Sequence, residues 1–324
     1  MKLQQLRYLA AVAQTGLNIT AAAERLHTSQ PGMSKQIKLI EDELGFQIFV
    51  RDARALSRVT LAGQQVLDRA VSILREVQNI KHLSDDLKNE SHGSLSLATT
   101  HTQARYVLPR IIKQFRDNHT DVRLHLHQGT SEQIGEMAAL DRVDFAIATG
   151  AQSLFEGFTL LPCYRWHRHV VVPRNHPLAN VKRPTLKQLV AYPIVTYVFS
   201  VSGPSSLNEL FAKEGLAPNV VLTAQDSDVI KTYVRLGLGI GIVASMAVEA
   251  NDDADLVNID ASDLFPAHTT WIGFRRGGLL RNYQIDFIQL FAPHLTRRLI
   301  ERAVNASKKA EVDELTAGLE LPLR

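Results

Sequence analysis

The sequence predicts a mixed α/β chain of three parts: a small head built as a winged helix-turn-helix, a long linker helix, and an α/β body. Three observations carry this. Residues 18–44, NITAAAERLHTSQPGMSKQIKLIEDEL, hold two short helical patterns separated by a break of three or four residues. Residues 60–89 contain no proline and place apolar side chains at steps of four and three. From residue 94 onward, strand and helix patterns alternate, as they do in α/β domains.

The head begins with a helix over residues 3–14, with Leu6, Leu9, Ala10 and Ala13 on one side. In the next pattern Ile19, Ala22, Ala23 and Leu26 form a face of small side chains, which lets two helices cross closely. In the third, Met33, Ile37, Ile40 and Leu44 line one side. Ser29 suits an N-cap, and Pro31 suits the first turn, where a missing N–H costs nothing. The opposite face shows Gln30, Ser34, Lys35 and Lys38, side chains that can donate to phosphates and to base edges in a major groove. A helical hairpin with a merely solvated polar face is the plainer reading of this stretch. After Gly45, Phe46, Ile48 and Val50 alternate, residues 57–60 offer a return strand, and Arg51, Arg54 and Arg58 cluster at the turn. Such a basic wing reaches phosphates or a minor groove.

In the linker, Val66, Ala70, Ile73, Val77, Ile80 and Leu87 form a stripe about three heptads long, with Ser84 in the missing place. The stripe predicts a helix that pairs with a second copy, since a two-headed reader needs half-sites at fixed spacing. In the body, strands are expected at 94–98, 122–127, 143–149, 160–164, 169–172, 193–197, 220–224, 240–244 and 270–274. Helices are expected from 109, after the capping box Thr130-x-x-Gln133, and at 206–214, 227–236 and 280–291. The tail from Pro293 is charged, with a short helix near 297–304.

Composition narrows the function. A 324-residue chain can hold two or three domains, and no apolar run reaches membrane-spanning length. The start, MKLQQLRYLAAVAQ, does not read as a signal peptide, which places the chain in the cytoplasm. One cysteine, Cys163, leaves no intramolecular disulfide and no multi-cysteine metal site. Residues 1–60 carry eight Lys and Arg against five acids, so the totals of 36 and 33 leave 28 of each beyond them. A small basic head on a neutral body fits that distribution better than a protein that coats polyanions.

A small-molecule site is expected at residues 98–106, ATTHTQARY, where Thr99, Thr100, Thr102 and Gln103 follow a strand's carboxyl end and precede a helix. Ligands of open α/β sheets bind at that edge, and helix N-termini attract anions. Hydroxyls and an amide without a nearby Lys suit a small oxyanion or a polar amino-acid derivative. Thr149 and the loop at Ser200, Ser202 and Gly203 can converge there, although simple N-capping explains the threonines equally well. His125-x-His127 lacks a third ligand. GLGIG at 237–241 precedes a strand, the wrong order for a dinucleotide loop, and reads as a turn. Asp226 and Asp228 read as a helix cap. No nucleophile or acid–base pair has recognisable context, so no enzyme is expected.

The segments AAERL, SQPGMSKQIKLIEDELG and IFVRDARALSRVTLAG resemble the winged helix-turn-helix of LysR-type transcriptional regulators. ATTHTQARYVLP, DFAIAT, LPCYRW, DVIKTYVRLGLGIGIVASMAV, IGFRR and FAPHLTR carry the resemblance through nearly the whole chain, toward the subgroup that activates cysteine and sulfur-assimilation genes. The resemblance implies a DNA-binding domain at 1–60, a linker and dimerisation helix at 61–92, and a two-subdomain, periplasmic-binding-protein-like (type 2) effector domain. Its first subdomain would be 93–163 with 269–292 and its second 164–268, joined by strands crossing near 163–165 and 268–270, with a C-terminal tail at 293–324. Promoter DNA would meet Thr28, Ser29, Gln30, Pro31, Ser34, Lys35, Lys38, Arg51 and Arg54. The assembly would be a homotetramer, a dimer of dimers, that engages RNA polymerase and needs no cofactor or metal. The implied effector is N-acetylserine or O-acetylserine, with sulfate or thiosulfate able to occupy the same pocket. Thr100, Thr102 and Gln103 would hold its oxygens, and Thr149 and Trp166 would complete the pocket. Ser202 stands where the subgroup often has threonine. A sister role, regulating sulfonate use in response to a sulfate-activation intermediate, and a solute-binding module are the alternatives.

Overall fold

A computed structural model describes residues 1–52, 55–87, 93–150, 152–201 and 206–324, and divides into two compact units, Met1–Glu90 and Ser91–Arg324. In the first unit, α1 (Leu3–Gln14), α2 (Ile19–Arg25) and α3 (Gln30–Leu44) form the head, followed by the antiparallel strands β1 (Phe49–Asp52) and β2 (Ala55–Val59) and by α4 (Leu61–Leu87). Asn18 caps α2 by accepting from the Ala21 N–H, and Ser29 caps α3 by accepting from the Gly32 N–H. Gly45, at φ 76°, ends α3 in the left-handed region that favours glycine. Leu9, Val12, Ala22, Ala23, Met33, Ile37 and Ile40 are buried together in the core.

Two head features differ from the sequence reading. The 46-48-50 alternation does not describe the wing: Ile48 and Phe49 are both fully buried while Phe46 is 40% exposed. The buried Glu41 carboxylate accepts from the Ile48 and Phe49 N–H groups at 2.8 and 3.1 Å, so α3 holds the chain at the entry to β1. The linker stripe also divides. Leu67 and Ala70 join the head's core with Val66 and Leu74 against it, whereas Ile73 and Ile80 are 39% and 66% exposed. Thr60 starts α4 by accepting from Gly63 N–H. A Cβ on Gly63 would stand 2.1 Å from the Ile48 carbonyl oxygen, so the close approach of helix and wing requires glycine there.

The second unit contains β3 (Gly93–Thr99), a π-helical turn (Gln103–Val107), α5 (Leu108–Asn118), β4 (Val122–Gln128), α6 (Ser131–Ala139), β5 (Phe145–Thr149), β6 (Phe158–Trp166) and β7 (Arg168–Pro173). Then come α7 (Leu186–Leu189), β8 (Ile194–Tyr197), α8 (Leu207–Lys213), β9 (Val220–Ala224), α9 (Ser227–Arg235), β10 (Ile240–Ala244), β11 (Leu256–Asp260), β12 (His268–Arg275), α10 (Asn282–Phe291), α11 (Arg297–Asn305) and α12 (Lys309–Thr316). Two five-stranded sheets result, ordered β4-β3-β5-β12-β6 and β11-β7-β10-β8-β9. Each is the centre of one lobe.

The chain passes from the first sheet to the second at His167 and returns between Asp260 and His268. The first passage lies four residues beyond Cys163, because β6 keeps its pairing with β12 as far as Trp166 opposite His268. Phe115, Phe145, Phe287 and Phe291 centre the first lobe's core. From the tail, Ile300, Ala303 and Val312 join that core, and Arg165 exchanges backbone hydrogen bonds with Pro322 and Arg324. Among the described residues no helix is long and apolar enough to cross a membrane.

Candidate functional site

On the head, Ser29, Gln30, Pro31, Lys35 and Lys38 are exposed, and Thr28 and Ser34 are partly so. They gather at the N-terminal end of α3 and along its outer face. Thr28 is turned toward Tyr8, which also accepts from Gln4. Arg51 is exposed but its guanidinium lies 3.5 Å from the Glu41 carboxylate, so a wing arginine is anchored to the group that holds the wing. Arg54 lies outside the described residues.

Between the two lobes of the second unit is a cavity of about 360 Å³. Thr100, Thr102, Gln103, Thr149 and Trp166 all line it, five of the six expected effector contacts; Ser202 lies outside the described residues. The first-lobe residues arrive as expected, from the carboxyl end of β3 and the turn before α5. The sequence reading did not include Tyr197, Val198 and Phe199 at the end of β8, or Gln225 and Asp226 before α9, which form the second-lobe wall. Asp226 does cap α9, accepting from Val229 N–H at 2.8 Å, so its capping signal concealed its place at the cavity.

The lining residues are not equally free. Thr149 pairs with the Thr270 hydroxyl at 3.0 Å and accepts from the Trp166 ring N–H at 3.4 Å. The Gln103 amide is turned into the wall: its oxygen accepts from the Tyr164 hydroxyl and its nitrogen faces the Met246 sulfur. Gln103 lines the cavity with its amide held by these two neighbours. Burial pushes the Tyr164 phenol up, so it keeps the proton it donates. Thr102 spans the lobes to Ser227 at 3.4 Å, and Ser227 lies 2.6 Å from the Tyr197 hydroxyl.

The same segment supplies further contacts between the lobes. Tyr106 donates to Asp228 at 2.5 Å, and Arg105 lies between Asp228, Glu249 and Asp252 at 3.3–4.0 Å. Residues 100–106 thus both line the cavity and join the lobes. Two helix starts, those of α6 and α9, also border the cavity and present N–H groups of the kind that favour anions. Each already has a carboxylate. Glu132 is held below the usual carboxylate range by its own backbone N–H and by Thr130, and Asp226 caps α9. Among the described residues no Lys or Arg lines the cavity. His125 and His127 are exposed on β4, and the described residues hold no group of three metal-ligating side chains.

A helix-turn-helix head and a two-lobed α/β unit with a hydroxyl-lined cavity define a ligand-responsive DNA-binding protein. Residues 3–64 match the bacterial regulatory helix-turn-helix protein, lysR family, and residues 88–296 match the LysR substrate binding domain; the chain belongs to the LysR family of transcriptional regulators and is not an enzyme. Within the family it groups with the regulators called CysB and Cbl. It is 47% identical to the HTH-type transcriptional regulator CysB of Haemophilus influenzae, covering 99% of both chains. It is 41% identical to the HTH-type transcriptional regulator cbl of Escherichia coli, over 97% of this chain and 99% of that one. The solved cofactor-binding domain of the Cbl transcriptional regulator, 42% identical, superposes with a TM-score of 0.63 over 67% of this chain and 96% of that domain. These likenesses extend over nearly the whole chain, head and two-lobed unit alike.

Proposed function

We propose that this protein activates cysteine and sulfur-assimilation promoters when an acetylserine, N-acetylserine or O-acetylserine, occupies the cavity between its lobes, and that sulfate or thiosulfate can occupy it as well. One observation carries the reading: Thr100, Thr102, Thr149 and Trp166 of the first lobe and Tyr197, Phe199 and Gln225 of the second face one cleft of about 360 Å³, of a size for one small polar molecule. A ligand there competes for the Thr102–Ser227 contact and so changes the relative stability of the lobe arrangements. Only differential affinity for those arrangements can drive the response. On the head, Thr28, Ser29, Gln30, Pro31, Ser34, Lys35, Lys38, Arg51 and Arg54 would face promoter DNA, in a cytoplasmic dimer of dimers that meets RNA polymerase.

The test is Thr102→Val, which keeps the side chain's shape and removes the hydroxyl. Expected are a loss of acetylserine binding of about tenfold or more by calorimetry, the size of a lost hydrogen bond to a charged group, and an unchanged affinity for promoter DNA without effector. Acetylserine binding equal to that of the parent protein overturns the reading. Tighter binding of a sulfate-activation nucleotide than of either acetylserine assigns the chain the sister role in sulfonate use instead.

A further inference from the structure

The cavity's most unusual neighbour is a cation that does not line it. Arg168, the first residue of β7, is 2% exposed, yet among the described residues its guanidinium makes a single hydrogen bond, a long one of 3.4 Å to the Ser200 hydroxyl. Nε and Nη1 are buried without any partner. Among the described residues no carboxylate forms an ion pair with it, although an uncompensated buried charge is costly. Two connections tie it to the cavity wall. Ser200 ends the turn whose Val198 and Phe199 line the cavity, and Arg168 lies in register opposite Ala244, another lining residue. Burial holds the guanidinium down to about 10, which leaves it charged at neutral pH.

We propose that Arg168 is the fixed positive pole of the effector cavity, which selects ligands bearing an oxyanion and balances their charge from behind the wall. The inference rests on the cavity being the effector site. It explains how a space lined by two carboxylate-bearing residues, Glu132 and Asp226, and by no Lys or Arg can hold an anion. Both bordering helix starts already have a carboxylate, so the unbalanced positive charge is that of Arg168. The ligand-free protein bears the cost of the unpaired guanidinium, and an anion in the cavity offsets it. At an effective dielectric constant of about 20, a unit charge changes the affinity for an anion by about tenfold or more out to roughly 12 Å.

The experiment uses the full chain and two probes, sodium sulfate and the uncharged N-acetylserinamide, with Arg168→Met, Arg168→Lys and Thr102→Val. Arg168→Met is expected to weaken sulfate binding at least tenfold and to change amide binding less than threefold. Arg168→Lys should keep most of the sulfate affinity. Without ligand, Arg168→Met should melt no lower than the parent protein, whereas sulfate should no longer raise its melting temperature. Equal losses for both probes, or a lower ligand-free melting temperature, assign Arg168 a purely structural role and overturn the proposal; failure of Arg168→Lys to retain sulfate does the same. If Thr102→Val loses both probes while Arg168→Met binds sulfate normally, Arg168 alone is wrongly assigned. If Thr102→Val and the parent protein bind alike, or the parent binds neither probe, the cavity reading falls with it.

Discussion

At the level of single residues, the passage between the lobes concentrates positive and titratable groups. His268 stacks on Trp166 at 4.6 Å between ring centres, and its Nε2 is buried without a partner. Burial, then the positive charges of Arg168 and His167, lower its pKa from 6.5 to about 4. The unfolded chain therefore takes up this proton near pH 6.5 while the fold refuses it until about pH 4. Stability present above 6.5 is lost as pH falls through that window, by about 2 kcal/mol between pH 7 and pH 5. His268→Phe, which keeps an aromatic ring against Trp166, should reduce the fall in urea-unfolding free energy over that range by about that amount. A fall as steep as the parent's would contradict this account. The first-lobe half of the site was legible because hydroxyls and an amide cluster where β3 ends and a helix begins. The second-lobe half was not. Tyr197 read as the apolar end of a strand and Asp226 as a cap, and each is that as well as part of the wall. Arg168 gave no signal, since nothing in a sequence says that a strand-end arginine has no counter-ion.

Among the elements, the wing depends on one carboxylate. Glu41 lies inside the helix-turn-helix and accepts two backbone N–H groups at the entry to β1. Glu41→Ala should strand both donors in the core, destabilise the head by about 2–4 kcal/mol and lower promoter affinity through the displaced wing. Calorimetric melting and a gel-shift titration would measure the two, and an unchanged melting temperature would refute the role. In the head the first helix was readable to the residue, and Ser29 marked the start of α3 because its hydroxyl suits an N-cap. The wing's phase was not, since its buried pair Ile48 and Phe49 follows the reach of Glu41 rather than strand alternation. Besides the one-turn α7, two body elements escaped the pattern: β11 follows the acidic run NDDAD, and α12 sets its apolar Val312 and Leu315 among Lys309, Glu311, Asp313 and Glu314. Their formation depends on tertiary partners, β7 for the strand and β6 for the helix.

For the molecule as a whole, α4 presents Ile73 and Ile80 to solvent after Leu67 and Ala70 are committed to the head. An apolar side chain left 66% exposed on a long helix favours a second helix as partner. Ile80→Glu should move the sedimentation profile toward smaller species while leaving effector binding by calorimetry within twofold. An unaltered profile would place the contact elsewhere. Within the second unit, both passages between the lobes meet at one antiparallel ribbon, β6 with β12, paired over eight residues. That ribbon lies inside the first lobe's sheet, so the chain is carried between the lobes only by His167 and by residues 261–267. Two short links of that kind favour a hinge, in which a molecule filling the gap changes the angle between the halves. Strong, weak and opposing ligands would then act as settings of one dial, and the promoter-reading end would receive a graded quantity rather than a choice among shapes.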